Sequence, residues 1–479
     1  MKPVIYFRVD GNAQIGLGHV VRCIALAQML ESDFNIEFVC NDIPESFINE
    51  LDQLGFGFTR IDNENDFLSK LISGSIIVLD HYAFDSDYQK KIKEKGYKLV
   101  CIDDLHDKTF FADLIINHAP GVTPLNYQAQ INTQFALGLD YVLLRPIFLN
   151  KAKQPVIRAP IETVFVCFGG ADSKNLTQIV VDVLKVDERF NKIIVVTGSA
   201  YSYLNQLKSA IGDSPNVFLH HAIDSGTVAG LMEQAGLAIV PASGILLEAM
   251  AVGCKIIAGM YVENQKFLFE KYKDMQAFVN AQDFSSTNLK VALNEAFKLP
   301  VNGRKKVFDG HSGIRLLKMF YQLTGKTNLE LRKARRSDLK ITYKWATNKK
   351  IREFSFSKDS ITFDEHRKWF LDKIESPECY YYLAENAGKI VGSIRLDIDG
   401  SDAIISYLVD TNYQGIGFGT ELLKKGVMAL ASEKLRDVNK VTGYVMPENK
   451  ASCRTFEKLG FKKTKMLEKY QYTLSLNQI

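Results

Sequence analysis

The sequence predicts an α/β protein with two consecutive doubly wound parallel-sheet domains and a smaller α+β domain after them. Three observations lead to this architecture. Strand-like apolar runs alternate with helix-like segments from the amino terminus to about residue 150, and the alternation restarts near residue 163. Beyond residue 329, closely spaced strands with hairpin-type turns replace it. We therefore expect domains at 1–150, 151–325 and 329–479.

Composition narrows the class of protein. The 479 residues exceed one ordinary domain, and 46% hydrophobic with 24% charged residues is typical of a soluble globular protein. The formal charge of +4 is small for this length and gives no indication of nucleic acid or an anionic membrane as a partner. No window approaches the roughly 20 apolar residues of a membrane span. We expect a cytoplasmic protein, and the oligomeric state stays open.

The cysteines give no indication of a disulfide or metal framework. Seven cysteines are scattered along the chain without CxxC spacing. This distribution favours reduced thiols in the core. We expect no metal site.

The first strand, residues 4–10, leads into a glycine-bearing turn and then a helical pattern, which places His19 at the start of a helix. Glycines there let the backbone approach a ligand, and unpaired helix N–H groups favour an anionic one. The positive helix end disfavours imidazolium, so we expect His19 to be neutral and able to accept a proton. A buried histidine with a structural role is the alternative.

Later strands of this domain end in polar residues. The expected strands are residues 36–40, 75–80, 98–103 and 114–117. Their endings include Asp80, Asp103–Asp104 and Asn117–His118. Ligands of open α/β sheets bind beyond the carboxyl ends of the strands, so these endings point to the same crevice as His19. Each ending taken alone is as well explained by a cap or a turn.

A proline-bearing link at residues 144–160 precedes the second domain, in which we expect strands at 163–168, 192–198, 216–219, 237–241 and 255–258. Ser243 and Gly244 stand where a strand gives way to a helix and offer donors for phosphate oxygens. Glu248 follows one turn later, where a carboxylate can accept from both hydroxyls of a ribose. A capped helix with an exposed glutamate is the alternative.

Two further turns add candidate ligand contacts. The turn at 169–172 permits close approach to a sugar or diphosphate through Gly170 and Asp172, although Asp172 could instead cap the next helix. Residues 263–265 follow the next strand, and the amides of Asn264 and Gln265 can orient a sugar.

Residues 1–320 resemble the UDP-sugar hydrolase family of pseudaminic acid biosynthesis (PseG). The resemblance rests on GxGHxxR after the first strand, LDHY at 79–82, the FGGAD turn, the SGxxxxE segment and the ENQ triplet. It implies the two-domain GT-B fold of MurG-like glycosyltransferases, with water as the sugar acceptor. It also implies UDP-2,4-diacetamido-2,4,6-trideoxy-β-L-altropyranose as substrate.

The same resemblance implies the site. His19 would be the catalytic base, and the substrate would contact Gly18, Arg22, Tyr82, Gly170, Asp172, Ser243, Gly244, Glu248, Asn264 and Gln265. Support of His19 by Asp10 is our own inference from the position of Asp10 at the strand end. UDP is a good leaving group, so the enzyme mainly has to stabilise the diphosphate, place water and take its proton.

The third domain contains a glycine-rich turn, residues 414–420, that opens directly into a helix. Successive backbone N–H groups of such a turn can hold a pyrophosphate. The turn fits Q/R-x-x-G-x-G/A, and the segment 449–461 follows it. Together they resemble the GNAT acetyltransferases over about 330–475, which implies acetyl-CoA as co-substrate. The implied cofactor contacts are Leu408, Val409, Gln414, Gly415, Gly417, Gly419, Thr420 and Asn449.

The chain departs from that family at Phe456, where many members have the tyrosine that protonates the leaving thiolate. Tyr470, Tyr472, Cys453 or solvent could replace it, and Asp397, Glu385 or water could take the amine proton. Trp345, Trp369 and residues 380–382 could offer apolar faces to a sugar or nucleotide, but core packing is favoured.

The two resemblances together predict a bifunctional enzyme. It would acetylate the 4-amino group of a UDP-linked amino sugar, as the GNAT-like PseH does, and then release UDP. The alternatives are a GT-B glycosyltransferase, another amino sugar or a protein amine as acetyl acceptor, and a domain that only binds.

Overall fold

The computed structural model describes residues 2–12, 16–155, 161–299, 307–324, 329–386, 388–433 and 438–476, without the side chain of Asn264. Residues 2–323 form one compact unit and residues from 324 onward form another. Within the predicted link at 144–160, Pro146–Lys153 form a helix, and residues 156–160 lie outside the described residues. Residues 325–328, at the expected start of the third domain, also lie outside them. The exact limits of the three expected domains stay predictions.

The first sheet has seven strands in the order β3-β2-β1-β4-β5-β7-β9, and all its pairs are parallel. β6 and β8 form a separate two-stranded parallel pair. The strands are β1 (Val4–Val9), β2 (Asn35–Cys40), β3 (Gly57–Arg60), β4 (Ile76–Asp80), β5 (Lys98–Ile102), β6 (Thr109–Phe110), β7 (Leu114–Asn117), β8 (Gln128–Ala129) and β9 (Gln134–Leu137). The helices are α1 (Gly18–Leu30), α2 (Glu45–Gln53), α3 (Glu64–Lys70), α4 (Ser86–Glu94) and α5 (Pro146–Lys153).

The central strands of this sheet are buried on both of its faces. All residues of β4 and β7 are buried, as expected for central parallel strands covered by helices on both faces. Helix α1 contacts β1, and its apolar residues Cys23, Leu26 and Leu30 are buried. This packing fixes the amino-terminal end of α1 beside the carboxyl ends of β1 and β4, because Val9 pairs with Asp80.

The second sheet has six parallel strands in the order β12-β11-β10-β13-β14-β15. They are β10 (Thr163–Cys167), β11 (Lys192–Thr197), β12 (Val217–His221), β13 (Leu237–Pro241), β14 (Lys255–Gly259) and β15 (Val279–Gln282). The helices are α6 (Leu176–Leu184), α7 (Leu204–Ile211), α8 (Ser225–Glu233), α9 (Gly244–Val252), α10 (Lys266–Asp274), α11 (Ser286–Lys298) and α12 (Ser312–Thr324). Apolar clusters cover both faces of this sheet.

The other unit contains a mixed seven-stranded sheet in the order β16-β17-β18-β19-β20-β22-β21, antiparallel except for the β19–β20 pair. The strands are β16 (Leu329–Lys333), β17 (Cys379–Asn386), β18 (Lys389–Asp399), β19 (Asp402–Val409), β20 (Lys440–Val445), β21 (Lys462–Lys465) and β22 (Tyr470–Ser475). The helices are α13 (Leu339–Ala346), α14 (Lys349–Arg352), α15 (Phe363–Glu375), α16 (Phe418–Ser432) and α17 (Lys450–Lys458).

The predicted fold class is confirmed: two Rossmann-like parallel-sheet domains precede an α+β domain. The sequence analysis missed the strands β3, β6, β8, β9, β15, β20, β21 and β22. Most of these are short runs that bury few residues, whereas β20 buries four of its six residues and was missed all the same. Within the described ranges, no helix combines the length and apolar character that a membrane crossing requires.

Candidate active sites

His19 lies at the amino-terminal end of α1 and is buried. Its Nδ1 lies 2.7 Å from Oδ1 of Asp80, the last residue of β4. Because an ionised carboxylate only accepts hydrogen bonds, we assign the ring proton to Nδ1. Nε2 then carries a lone pair, and no described residue forms a hydrogen bond with it. The ring is therefore arranged to accept a proton from a ligand or a water molecule.

Asp80 is held by Arg22, one turn after His19 in α1. Nε and Nη2 of Arg22 donate to the two carboxylate oxygens of Asp80 at 2.6 Å each. Burial acts to raise the pKa of Asp80, but the charge and hydrogen bonds of Arg22 outweigh it and hold the pKa far below its usual value. Asp80 is therefore an anion at neutral pH.

The remaining donor group of Arg22 contacts Asp104, which follows β5. Nη1 of Arg22 donates to the two Asp104 oxygens at 2.7 and 2.9 Å. The structure thus joins Arg22 to carboxylates of its own domain. The predicted contact of Arg22 with substrate gains no support from these contacts.

Tyr82 lies against the imidazole of His19, and its contact with substrate stays a prediction. The ring centroids are 4.7 Å apart, and the rings meet edge to face. Burial and the neighbouring Asp104 raise the pKa of Tyr82 to about 12, so its hydroxyl keeps its proton at neutral pH. Gly18 begins α1 directly before His19, and among the described residues no atom lies within 4 Å of where its Cβ would stand. Its backbone is therefore open to a ligand.

The prediction that Asp10 supports His19 is wrong. Asp10 forms an ion pair with Arg8 at 2.8 Å and accepts from the backbone N–H groups of Asn41 and Asp42. Asp80 contacts His19 in its place. The central position of β4 beside β1 explains the difference, because it brings the end of β4 directly to the start of α1.

The polar strand ends divide into two groups. Asp80 and Asp104 reach the His19 network through Arg22, and His118 lies close enough for the charge of Arg22 to help burial lower its pKa to about 4. Asp103 instead accepts from the backbone N–H of His106, and Asn117 donates to the Tyr127 hydroxyl. The first group belongs to the candidate site, and the second stabilises loops.

The second Rossmann-like domain places a helix start and a buried carboxyl together. Ser243 is the residue before α9, and its hydroxyl makes no capping hydrogen bond. Gly244 begins the helix with open space where a Cβ would stand. Glu248, one turn later, is buried, and no described residue forms a hydrogen bond with it. Burial raises its pKa to about 7, and Arg145 opposes this shift. This carboxyl is suited to accept from ligand hydroxyls.

The other predicted contacts of this domain have internal partners. Asp172 caps α6 by accepting from the backbone N–H groups of Leu176 and Thr177 at 2.9 and 2.8 Å, the alternative that the sequence left open. Oε1 of Gln265 accepts from the Tyr261 N–H. The side chain of Asn264 lies outside the described residues. Substrate contacts by these three residues stay predictions.

The two candidate regions of the first unit lie on neighbouring surfaces. Helix α1, which carries His19, contacts α9, which carries Glu248. A Cβ on Gly170 would lie 2.8 Å from Cδ1 of Leu17, so glycine permits the two loops to approach each other. Among the described residues there is no group of three or more metal-ligating side chains.

The other unit presents an opening between β19 and β20. The two strands pair only from Asp402↔Lys440 to Ile405↔Gly443, although β19 continues to Val409 and β20 to Val445. Within the described part of the sheet, the β20-facing edge of Leu408 and Val409 thus has no strand partner. This edge is available to an extended ligand.

A glycine-rich turn follows that open edge and leads into α16. Gly415 and Gly417 have φ of +85° and +93°, a backbone conformation that residues with a side chain rarely adopt. Gln414 ties the turn to β19 by donating to the Val409 carbonyl at 3.0 Å. Gly419 and Thr420 lie in the first turn of α16. The Thr420 N–H donates to the Gly417 carbonyl at 3.1 Å, so the donors that this helix start offers to an anion are the N–H groups before Thr420. Asn449 lies before α17 and caps it by accepting from the Ser452 N–H.

The comparisons with known proteins agree with this division. Residues 328–462 match the family model for the acetyltransferase (GNAT) domain. The carboxy-terminal part of this chain is a GNAT acetyltransferase domain. The spermidine N-acetyltransferase of Vibrio cholerae, solved with CoA and spermine, aligns with 32% of this chain and 98% of its own at 18% identity and a TM-score of 0.30.

The amino-terminal part has homologues among sugar-nucleotide enzymes. The UDP-2,4-diacetamido-2,4,6-trideoxy-β-L-altropyranose hydrolase of Campylobacter jejuni is 29% identical over 55% of this chain and 93% of its own length. The spore coat polysaccharide biosynthesis protein SpsG of Bacillus subtilis is 27% identical over 56% of this chain and 80% of its own. An uncharacterised protein of Methanocaldococcus jannaschii is 24% identical over 98% of both chains.

Within the GNAT domain, Phe456 occupies a packed position and has no proton to donate. It is 2% exposed and stacks on Tyr472 at 5.0 Å. Tyr472 is fully buried, and its hydroxyl donates to Glu457 at 3.1 Å. Burial and a hydrogen bond with Cys453 raise the pKa of Tyr472 far above its usual value. Tyr472 and Cys453 thus form one buried pair, whereas Tyr470 is only partly buried.

The two carboxylates that the sequence offered as bases are both paired. Asp397 accepts from Lys373 and Arg395 at 2.7 Å each. Burial acts to raise the pKa of Asp397, but these two cations outweigh it and lower the pKa. Glu385 accepts from Arg332. Neither carboxylate is suited to take an amine proton, which leaves water among the predicted candidates.

The expected core role of the aromatic residues holds for most of them. Trp345 is buried and donates from its indole nitrogen to Asp410 at 2.7 Å, and Tyr381 and Tyr382 are buried. Trp369 is partly exposed and has the Arg395 guanidinium 4.8 Å from a ring centroid. Tyr380 is only partly buried, so Trp369 and Tyr380 are the two of these five rings that have a face near the surface.

Proposed function

We propose that this chain is a bifunctional enzyme of pseudaminic acid biosynthesis. Its first unit hydrolyses UDP-2,4-diacetamido-2,4,6-trideoxy-β-L-altropyranose to UDP and the free sugar. Its GNAT domain transfers an acetyl group from acetyl-CoA to the 4-amino group of the preceding UDP-linked amino sugar. The observation that carries the hydrolase proposal is His19, with Nδ1 held by Asp80 and Nε2 free of partners among the described residues. The activity of the Campylobacter relative, hydrolysis of this UDP-sugar, supports it.

In the hydrolysis step, Nε2 of His19 accepts a proton from water. The water oxygen forms a bond to the anomeric carbon, and the bond from that carbon to the diphosphate oxygen breaks with its electron pair leaving on UDP. The amino-terminal end of α9, with the free hydroxyl of Ser243, stabilises the departing diphosphate. Glu248 accepts from the ribose hydroxyls.

In the acetylation step, acetyl-CoA when bound supplies an activated thioester. The turn at Gly415 and Gly417, together with the first N–H groups of α16, holds the pyrophosphate. The open edge of Leu408 and Val409 aligns the pantetheine arm. The amine nitrogen forms a bond to the acetyl carbon, the carbon–sulfur bond breaks, the sulfur takes a proton and the amine loses one.

The proposal is tested with the full chain and a UDP-linked 4-amino sugar, with and without acetyl-CoA, followed by mass spectrometry. We expect the acetylated UDP-sugar first and then UDP with the free diacetamido sugar, in the absence of any sugar acceptor. Acetylation without release of UDP would favour a glycosyltransferase, and release of UDP without acetylation would contradict the role of the GNAT domain. We further expect a soluble, cytoplasmic enzyme that needs no metal.

A further inference from the structure

A line of alternating charges runs behind the imidazole of His19. Asp80 contacts Nδ1, Arg22 grips both oxygens of Asp80, and Asp104 takes the remaining side of the guanidinium. Asp80 is 1% exposed and Arg22 is 13% exposed, so solvent screens this network little. Such an arrangement restrains the orientation and protonation of the ring that it contacts.

We propose that Asp80 and Arg22 are positioning residues for His19, and that Arg22 does not contact the diphosphate of the substrate. Asp80 keeps the ring proton on Nδ1 and thereby leaves Nε2 as the acceptor. Arg22 keeps Asp80 in that place. The inference rests on the proposed role of His19 as the base of the hydrolysis.

The tautomer follows from the chemistry of the contacts. A neutral imidazole in water exchanges its proton between Nδ1 and Nε2, and only the Nδ1–H form can accept a proton at Nε2. Nη2 of Arg22 also lies 3.2 Å from Nδ1, but it already donates to Asp80 at 2.6 Å. The shorter contact of Nδ1 with Asp80 therefore decides the proton position.

The charge of the network argues against a diphosphate at Arg22. The guanidinium of Arg22 faces two carboxylates, Asp80 and Asp104, so these three groups together carry a net charge of one negative unit. Four hydrogen bonds to these carboxylates engage all three nitrogens of Arg22. An anionic ligand would have to displace a carboxylate that is already bound and would meet repulsion from the other. The amino-terminal end of α9 offers donors without that repulsion.

The direct test is the ¹⁵N resonance pattern of the His19 ring in the full chain labelled at histidine, with His19→Asn used to assign the signals. We expect a protonated Nδ1 and an unprotonated Nε2 in the wild type, and loss of this fixed pattern in Asp80→Asn. Arg22→Lys keeps a cation but loses the bidentate hydrogen bonds to Asp80, so in this variant we expect a mixture of the two His19 tautomers. An Nε2–H form in the wild type, or no change in either variant, would overturn the proposal.

Arg8→Lys is a matched control for loss of a buried arginine network. Arg8 lies in the same domain, is 3% exposed and is held by Asp10 and Glu64. Among the described residues, it forms no hydrogen bond or ion pair with His19 or Asp80. We expect it to leave the His19 pattern unchanged. A change as large as that in Arg22→Lys would mean that general loosening of the domain, rather than positioning, governs the ring.

Binding and kinetics separate a positioning role from substrate contact. For Arg22→Lys we expect kcat of hydrolysis to fall at least about 100-fold, with KM and the calorimetric affinity for UDP changed less than about threefold. A 10-fold or greater loss of UDP affinity with unchanged kcat would place Arg22 on the diphosphate and overturn the proposal. If the wild type hydrolyses no UDP-sugar, the proposed function fails, whereas the ring pattern still decides the positioning of His19.

Discussion

The chain uses two kinds of helix amino terminus. At α1 the functional group is a side chain, His19, and its placement depends on side chains from β4 and the loop after β5. At α16 the functional groups are backbone N–H donors, and their placement depends on glycines with positive φ at 415 and 417. We therefore expect the site at α1 to be more sensitive to changes in the polar side chains around His19 than to changes in its loop. The site at α16 should instead be more sensitive to changes in the backbone conformation of its turn. Substitutions can test this contrast.

His19→Asn should have the largest effect. Asparagine keeps a polar group at the start of α1 but cannot take a proton from water, so UDP release should fall about 10²–10⁴-fold. Acetylation should stay within about twofold of the wild type, because the GNAT domain uses none of these side chains. Both rates are followed by mass spectrometry on the same sample. Wild-type hydrolysis by this variant would contradict the assignment of the base.

Glu248→Gln should reduce the affinity for UDP about 10- to 100-fold, since an ionised carboxylate accepts from two hydroxyls more strongly than an amide does. Calorimetric titration of the full chain with UDP measures this loss. The wild type should bind UDP more tightly above pH 7 than below it, relative to Glu248→Gln. The same pH dependence in both proteins would argue against Glu248 as the titrating contact.

The raised pKa of Glu248 also predicts how its contribution to the free energy of unfolding depends on pH. Burial lifts the pKa from about 4.5 to about 7 in the folded state, so the folded protein holds this proton more tightly than the unfolded chain. The contribution of Glu248 to the free energy of unfolding is therefore fully present below pH 4.5 and is lost as pH rises toward 7. This group then costs up to about 3 kcal/mol above pH 7. The gain in melting temperature in Glu248→Gln should be larger at pH 8 than at pH 5.

Gly417→Val should weaken acetyl-CoA binding about 10-fold or more while sparing hydrolysis. Valine is strained at a φ of +93°, so the turn must change its shape. Gly400→Val is the matched control, because Gly400 has a φ of +59° in the same domain but lies in the turn between β18 and β19. It should lower stability without a comparable loss of acetyl-CoA affinity. Equal losses in the two variants would remove the special role of the turn.

Phe456→Tyr should have the smallest effect on activity. A Cβ on Gly443 would lie 2.4 Å from Cζ of Phe456, so the tip of the ring already touches β20 and has no room for a hydroxyl. We expect a loss of about 1–3 kcal/mol in thermal unfolding of the GNAT domain and no faster acetyl transfer. A several-fold faster transfer would show that the position still accepts an acid.

The sequence predicted those parts of the molecule that depend on local pattern. The buried strands β1, β4, β5 and β10 were readable because each is a continuous apolar run, and the start of α16 because its glycines form a motif. The edge strand β3 was not, since its four residues are only partly buried or exposed. A strand that is buried on both faces produces a continuous apolar run in the sequence, whereas an edge strand such as β3 does not.

The partner of His19 could not be predicted with certainty, because it depends on which strand lies beside β1. Asp10 and Asp80 both lie at the ends of apolar strands, and the prediction chose Asp10 from its position at the end of the first strand. The order β2-β1-β4 places Asp80 against the ring. Similarly, the motif containing Arg22 indicated a functional site, but only the distances to Asp80 and Asp104 showed which groups it binds.

The most direct test of the proposed hydrolysis is the fate of oxygen from water. The full chain is incubated with the UDP-diacetamido sugar in ¹⁸O-labelled water without acetyl-CoA. Both products, UDP and the free sugar, are then analysed by mass spectrometry before the sugar exchanges its anomeric oxygen with the solvent. If His19 directs water to the anomeric carbon, UDP leaves unlabelled and the sugar carries the label. Label in UDP would show attack at phosphorus and contradict the account.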